Sequence, residues 1–243
     1  MSKSIDRRAM LAGLAGAGAM AAVPVRAQLP EWVRQPSAPI TPPVDYLAVA
    51  RKQLAMQSRH IPQTDRIGIV DFGLPSARPR FALVDMVAGK IEMFPVTHGR
   101  GSDPQHDGWL KSFSNRVGSL ATSRGAYRTS DYYWGANGSS MRLAGLEPDN
   151  NNADVRAIVV HGAWYADPSL IATQGKLGRS EGCFVFGEDL LPMILYKLGP
   201  GRLLFADRLS EVPPMPVPFQ LPPVADNIRR AGSVNGTFPT TAD

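Results

Sequence analysis

The chain has 243 residues, with 26 Lys and Arg against 21 Asp and Glu for a formal charge of +5, and a single cysteine. That length accommodates one sizeable domain with appendages, and a lone cysteine excludes an internal disulfide. The basic balance does not indicate a nucleic-acid partner, because it is concentrated at the N-terminus and no Lys/Arg run or basic and aromatic interleaving follows.

Residues 1–27 read as a signal peptide. Arg7-Arg8 precede an Ala, Gly, Met and Leu-rich stretch from Ala9 to Val23, and Val25-Arg26-Ala27 has the form of a small-residue cleavage site. The paired arginines, the weakly hydrophobic stretch and Arg26 favour the twin-arginine export route, although Asp6 and Met10 stand where Ser/Thr and Phe are usual. Cleavage removes Lys3, Arg7, Arg8, Arg26 and Asp6, leaving 216 residues with 22 basic and 20 acidic side chains and a charge of +2. No second long apolar stretch follows, so an exported mature protein without a transmembrane segment is expected; it is expected to be a monomer.

Residues 28–65 read as a Pro-rich arm followed by a short helix. Gln28 to Pro43 holds five prolines, and Val44 to Gln57 spaces Tyr46, Leu47, Ala50, Leu54 and Met56 near the helical period. The folded body of the chain is expected over 66–208. It opens with strand-like runs at Arg66 to Phe72, Arg80 to Val87 and Lys90 to Thr97, the last two joined by an Ala88-Gly89 turn, which predicts an antiparallel meander. Further strands are expected at Gly125 to Tyr133, Ser140 to Leu143, Arg156 to His161, Cys183 to Phe186 and Arg202 to Ala206. Many short strands predict a mainly β domain, a sandwich or a barrel-like sheet, with few short helices. Glu188 to Leu198 is the later helix, stopped by Gly199-Pro200. Residues 209–243 read as a Pro-rich tail, with seven prolines from Glu211 onward.

The chemistry concentrates at Gly178-Arg179-Ser180-Glu181-Gly182-Cys183-Phe184. Thiol catalysis needs a thiolate, a base to make it and donors for the oxyanion. Gly182 permits close backbone approach, Ser180 offers a short hydroxyl, and the amides around Cys183 form an oxyanion hole if the turn is tight. Arg179 adds positive charge that can lower the thiol pKa or hold a substrate carboxylate. The base must lie upstream, since His60, His98, His106 and His161 all precede the cysteine. His161 is the leading candidate: the buried-strand pattern Ala157 to Val160 leaves His161-Gly162 at a strand end.

These residues resemble a known family. His161-Gly162-Ala163 with Gly175-Lys176-Leu177-Gly178-Arg179-Ser180-Glu181-Gly182-Cys183 is similar to the signature of YkuD-type L,D-transpeptidases, and most of all to their murein L,D-transpeptidase subfamily. Ser112 to Asn115, Ser140 to Pro148 and Asn151 to His161 follow the same subfamily, so the resemblance covers roughly Ile67 to Asp207. It implies a β-rich YkuD fold, a periplasmic location, peptidoglycan stem peptides as substrate, Cys183 as nucleophile and His161 as base, with no cofactor and no metal. The chain departs from the pattern at Glu181, where the wider family has a second histidine, and at Phe184. A carboxylate two residues from the nucleophile can oppose thiolate formation or orient a substrate amine.

Four side chains are candidates for substrate binding: Arg179, Arg142, Glu181 and His98, the last within the loop His98 to Ser102. His98 with His106-Asp107 lacks the ligand spacing of a metal site. Tyr132, Tyr133 and Trp134 can line a cleft or serve as packing. Two further functions compete with transpeptidation: an L,D-carboxypeptidase hydrolase using the same thioester, and a wall-binding domain without turnover.

Overall fold

The computed structural model describes residues 44–210. The signal peptide, the Pro-rich arm and nearly all of the tail lie outside the described residues.

Eight strands form one curled sheet: β1 (Arg66–Asp71), β2 (Phe81–Asp85), β3 (Lys90–Phe94), β4 (Gly125–Gly135), β5 (Gly138–Gly145), β6 (Val159–Gly162), β7 (Phe184–Phe186) and β8 (Leu203–Asp207). Their order across the sheet is β3-β2-β1-β8-β4-β5-β6-β7. The expected meander is present in β1, β2 and β3. The sheet as a whole is mixed, because β8 enters between β1 and β4, parallel to β1, and β7 runs parallel to β6. The edges are then tied together. The chain leaving β3 passes to the β7 side, where the Thr97 amide donates to the Val185 carbonyl at 3.0 Å and the Arg100 amide to the Ser180 carbonyl at 2.7 Å.

Helix α1 (Tyr46–Gln57) is capped by the Asp45 side chain, which accepts from the Ala48 amide at 2.9 Å. It lays Tyr46 and Ala50 against Ile67, Ile69, Ala82, Val84, Leu203 and Phe205. On the opposite face Val70, Phe81, Tyr127, Met141, Val160, Phe184 and Phe186 meet helix α3 (Leu191–Leu198) through Leu191, Ile194 and Leu198. With both faces covered, the central strands are continuously apolar rather than alternating. Helix α3 starts three residues later than the sequence pattern suggests: the Gly187 carbonyl takes the amides of Leu190 and Leu191 in a turn, and Pro192 then presets the first helical residues. A short helix α2 (Ser169–Gln174), without an apolar period, has no sequence signal.

One buried carboxylate ties distant parts of the chain. Asp71, wholly inaccessible, accepts from Tyr46 Oη at 3.2 Å, the Gly73 amide at 2.9 Å, the Leu209 amide at 2.9 Å, the Ser210 amide at 3.1 Å and Ser210 Oγ. Asp71→Ala leaves these donors unmatched and is expected to cost about 2–3 kcal/mol, read as a lowered midpoint in urea unfolding.

β4 contains a bulge. Thr129 pairs with Leu143 and Tyr132 with Met141, so Ser130 and Asp131 together face Arg142. Tyr132 therefore points to the core face, where its hydroxyl donates to the Leu195 carbonyl at 2.8 Å. Tyr133, paired with Ser140, points to the other face.

Candidate active site

Alternation along the strands gathers the chemistry on one face. Val160, Phe184 and Phe186 point into the main core. Their neighbours Val159, His161 and Val185 therefore project to the other side, as do Ser140 and Arg142, which pair with His161 and Val159 across β5 and β6. Cys183 stands one residue before Phe184, in line with Val159. It lies about 8 Å from His161 between backbones, from one strand spacing across and two residues along. Ala163, Ala166, Val185 and Tyr165 pack around it.

The thiol donates to the Ala157 carbonyl at 3.5 Å. Ala157 adopts a left-handed backbone, with φ of 50°, that orients this carbonyl. His161 is buried, and its Nδ1 lies 2.9 Å from the Gly162 carbonyl. A carbonyl only accepts, so Nδ1 carries the proton and Nε2 keeps a lone pair. Burial pushes the His161 pKa down, against the pull of that carbonyl. Burial likewise pushes the Cys183 thiol up, while the Val159 amide and the Arg156 guanidinium pull it down and Glu181 adds to the rise. The resting pair is a neutral thiol beside a neutral imidazole.

The turn before the nucleophile is tightly built. Ser180 Oγ donates to the Cys183 carbonyl at 2.7 Å and accepts from the Gly182 amide at 3.2 Å. Gly182 has φ of 119°, and a side chain there would meet the Ala121 carbonyl and Ile158 at 2.8 Å and Arg156 at 3.1 Å. Only glycine fits. Gly162 sits against Leu191, its hypothetical Cβ 3.1 Å from that side chain.

Among the candidate substrate contacts, Arg142 is exposed and stacks over Tyr133 at 4.5 Å, on the thiol's face. Arg179 is turned away: its guanidinium holds the carbonyls of Asp103 and Pro104. The cation that acts on the thiol is Arg156 instead, which the cysteine motif alone does not reveal. Glu181 is engaged by Arg100, 2.7 Å away and 81 residues earlier.

His98 requires a correction. It is fully buried, with Nδ1 receiving Arg80 Nη2 at 2.7 Å and Nε2–H donating to Asp103 at 3.2 Å. No ring nitrogen is left for a substrate. His98 is a strut: its carbonyl accepts from the Ser180 amide at 2.9 Å, and Gly99 beside it packs on Gly182. His106 is similarly occupied, its Nε2 on the Leu177 carbonyl at 3.1 Å. Among the described residues no group of three or more His, Cys, Asp and Glu side chains is placed to hold a metal.

Tyr165 carries no motif that would have singled it out. Its phenol, pushed up to about 12 by burial and then by the negative charges of Cys183 and Glu181, borders the thiol, and its backbone carbonyl takes the Gly178 amide at 2.7 Å. Trp164 beside it is 71% exposed.

Compared with known families, residues 43–206 match YkuD_2, the L,D-transpeptidase catalytic domain. The chain belongs to this family. A comparison with curated proteins finds no match. Among solved structures, an L,D-transpeptidase from Mycobacterium smegmatis is 13% identical over 59% of this chain and 58% of its own, with a TM-score of 0.35. One from Mycobacterium tuberculosis H37Rv is 13% identical over 59% and 57%, with a TM-score of 0.39. The helical cell shape determining protein Pgp2 from Campylobacter jejuni is 13% identical over 67% and 56%, with a TM-score of 0.37. The chain thus spans under three fifths of the length of these three. Membership makes residues 43–206 an L,D-transpeptidase catalytic domain, and among the described residues no helix is long and apolar enough to cross a membrane.

The Arg100–Glu181 pair has a measurable consequence at the thiol. Both side chains are more than half exposed, at 53% and 67%, so the pair adds little stability. Glu181→Gln should leave the melting transition in place. Because Glu181 raises the thiol pKa, the variant should react faster with iodoacetamide at pH 7, by up to about five-fold for a Coulomb term near 1 kcal/mol. Slower alkylation would show that the carboxylate assists the thiol.

Proposed function

We propose that the protein is an exported L,D-transpeptidase that cross-links or edits peptidoglycan stem peptides through a thioester on Cys183. The observation that carries this reading is that Cys183, just ahead of β7, and His161, in the parallel neighbour β6, project from the same face, with Nδ1 of His161 committed to Gly162 and Nε2 left as a base.

The thiol proton passes to His161 Nε2, and the thiolate attacks the carbonyl on the L-centre side of a diamino acid in the stem. Gly182's amide is held by Ser180 Oγ, which leaves the Cys183 amide as the nearest donor to the tetrahedral oxyanion. Collapse breaks the peptide bond, His161 returns the proton to the leaving D-amino acid, and the acyl group stays on sulfur. An amine of a second stem then attacks the thioester, gives its proton to His161 and restores the thiol. Arg142, braced on Tyr133, is placed to meet a stem carboxylate. No step calls for a metal or an organic cofactor.

Residues 1–27 are assigned as the twin-arginine signal, 28–65 as arm and helix, 66–208 as the catalytic domain and 209–243 as the tail of a periplasmic monomer. Mass spectrometry of the processed protein, beginning at Gln28, tests the first assignment. Purified muropeptides incubated with the mature protein test the function. A cross-linked dimer with released D-amino acid is the expected product. A shortened monomer alone would make the enzyme a carboxypeptidase, and unchanged muropeptides would leave a binding domain.

A further inference from the structure

Arg156 stands where no ordinary structural need accounts for its charge. It lies just before β6, partly buried, and its guanidinium donates to the Ser114 carbonyl at 2.7 Å, to Ser123 Oγ at 3.4 Å and to the Ala121 carbonyl. All three acceptors are neutral. Among the described residues no carboxylate comes within ion-pair distance of it. A guanidinium withdrawn from water without an anion is unfavourable, and unlike a lysine or a histidine it cannot shed its proton to relieve the cost.

The direction in which it faces is informative. Arg156 Nη2 lies 3.1 Å from where a Cβ on Gly182 would be, so the cation packs against the residue immediately before the nucleophile. The next residue, Ala157, turns into the left-handed region and presents its carbonyl to the Cys183 thiol at 3.5 Å. One short stretch of chain therefore brings a fixed positive charge and a thiol acceptor to the same sulfur.

Resting on the thioester reading above, we propose that Arg156 is a positioning residue that holds the Cys183 thiolate in its field, a counter-charge that exists before His161 takes the proton. The unpaired guanidinium finds its anion only when sulfur ionises. The ion pair of thiolate and imidazolium is then stabilised from two sides: by His161 across the strands and by Arg156 behind Gly182. The coupling is reciprocal, since Arg156 lowers the thiol pKa and an ionised Cys183 raises that of Arg156, which burial otherwise depresses. Glycine at 182 is part of the device, because any side chain would separate the two charges.

The single cysteine makes the test direct, as every alkylation event and all thiolate absorbance belong to Cys183. The pH dependence of iodoacetamide alkylation, followed by intact mass, is measured for the wild type, Arg156→Gln and Arg156→Lys. The Gln variant is expected to move the midpoint to higher pH and to react about ten-fold more slowly at pH 7, while the Lys variant, keeping charge but losing the fork, stays within about three-fold of the wild type. A Gln variant with the wild-type alkylation profile and a cooperative melt overturns the proposal and leaves Arg156 as a loop brace. If the Gln variant does not fold, Cys183→Asp and Cys183→Asn place an anion and its neutral isostere beside an intact Arg156. The Asp variant is expected to melt at or above the Asn variant at pH 7, and an Asp variant melting well below it overturns the proposal. None of these measurements uses a peptide substrate, so their outcome is independent of whether muropeptides are turned over.

Discussion

Cys183→Ala is expected to end acyl transfer completely while leaving the fold intact, and His161→Ala to lower kcat/KM by about 10²–10⁴-fold. The two changes remove different things. Replacing Cys183 by alanine deletes the only atom that can carry the acyl group, yet the small methyl still fills the pocket of Ala163, Ala166, Val185 and Tyr165. A cooperative melt near that of the wild type is therefore expected, together with no mass increase on exposure to a carbapenem. His161→Ala keeps the sulfur but removes the proton acceptor, in a site where burial already pushes the thiol up. Residual acylation should then rise with pH as unassisted thiolate forms. In the wild type the acid limb of kcat/KM should fall at a pH below the ordinary histidine range, since burial lowers the His161 pKa. Acylation of the Cys183→Ala variant, or an unchanged pH profile after loss of His161, would assign the chemistry to other residues.

The second large effect is on stability. His98→Leu leaves Arg80, wholly inaccessible, without its imidazole acceptor and takes from Asp103 one of its three donors, the amides of Asp107 and Gly108 remaining, a loss of about 3 kcal/mol. The wild type should reveal the same network through pH. Burial pushes the His98 pKa down to about 4, over the pull of Asp103 and with Arg80 and Arg179 adding to the fall. The unfolded chain takes up a proton near pH 6.5 that the folded chain refuses until about pH 4. Stability from this group is whole above about pH 6.5 and declines as pH falls, by about 1.4 kcal/mol per pH unit and roughly 3 kcal/mol by pH 4. Urea melts at a series of pH values measure the slope. It should be shallower in the Leu variant, and equal slopes would mean that His98 titrates normally.

Much of the fold was legible because most strands carry an apolar run with glycine, asparagine, aspartate or proline nearby, and all eight lie within or close to the predicted spans. Their order was not. The insertion of β8 between β1 and β4 depends on pairing Ile67 with Leu203 and Gly125 with Ala206, contacts that leave no local pattern. The region around Cys183 and His161 announced itself through residue types whose chemistry is distinctive. Its supports did not. Arg156 resembles a solvated charge at the mouth of a strand, and His98 resembles an exposed histidine in a Gly and Ser loop. The partner of Glu181 is 81 residues away. What decides each case is how far the side chain is withdrawn from water, and spacing along the chain does not report that.

The bulge in β4 makes residue count, rather than residue identity, the determinant of which aromatic ring borders the reaction. With Ser130 and Asp131 sharing one partner, Tyr133 rather than Tyr132 joins the face of His161 and supports Arg142. Were both residues kept and paired one to one, Asp131 would take the place opposite Met141, Tyr132 would turn away from the Leu195 carbonyl, and Arg142 would lose Tyr133 as its platform. Among homologous chains, loss of one of the two residues would straighten the strand and leave each tyrosine on its face, whereas a bulge moved beyond Tyr133 would exchange them without any change in length.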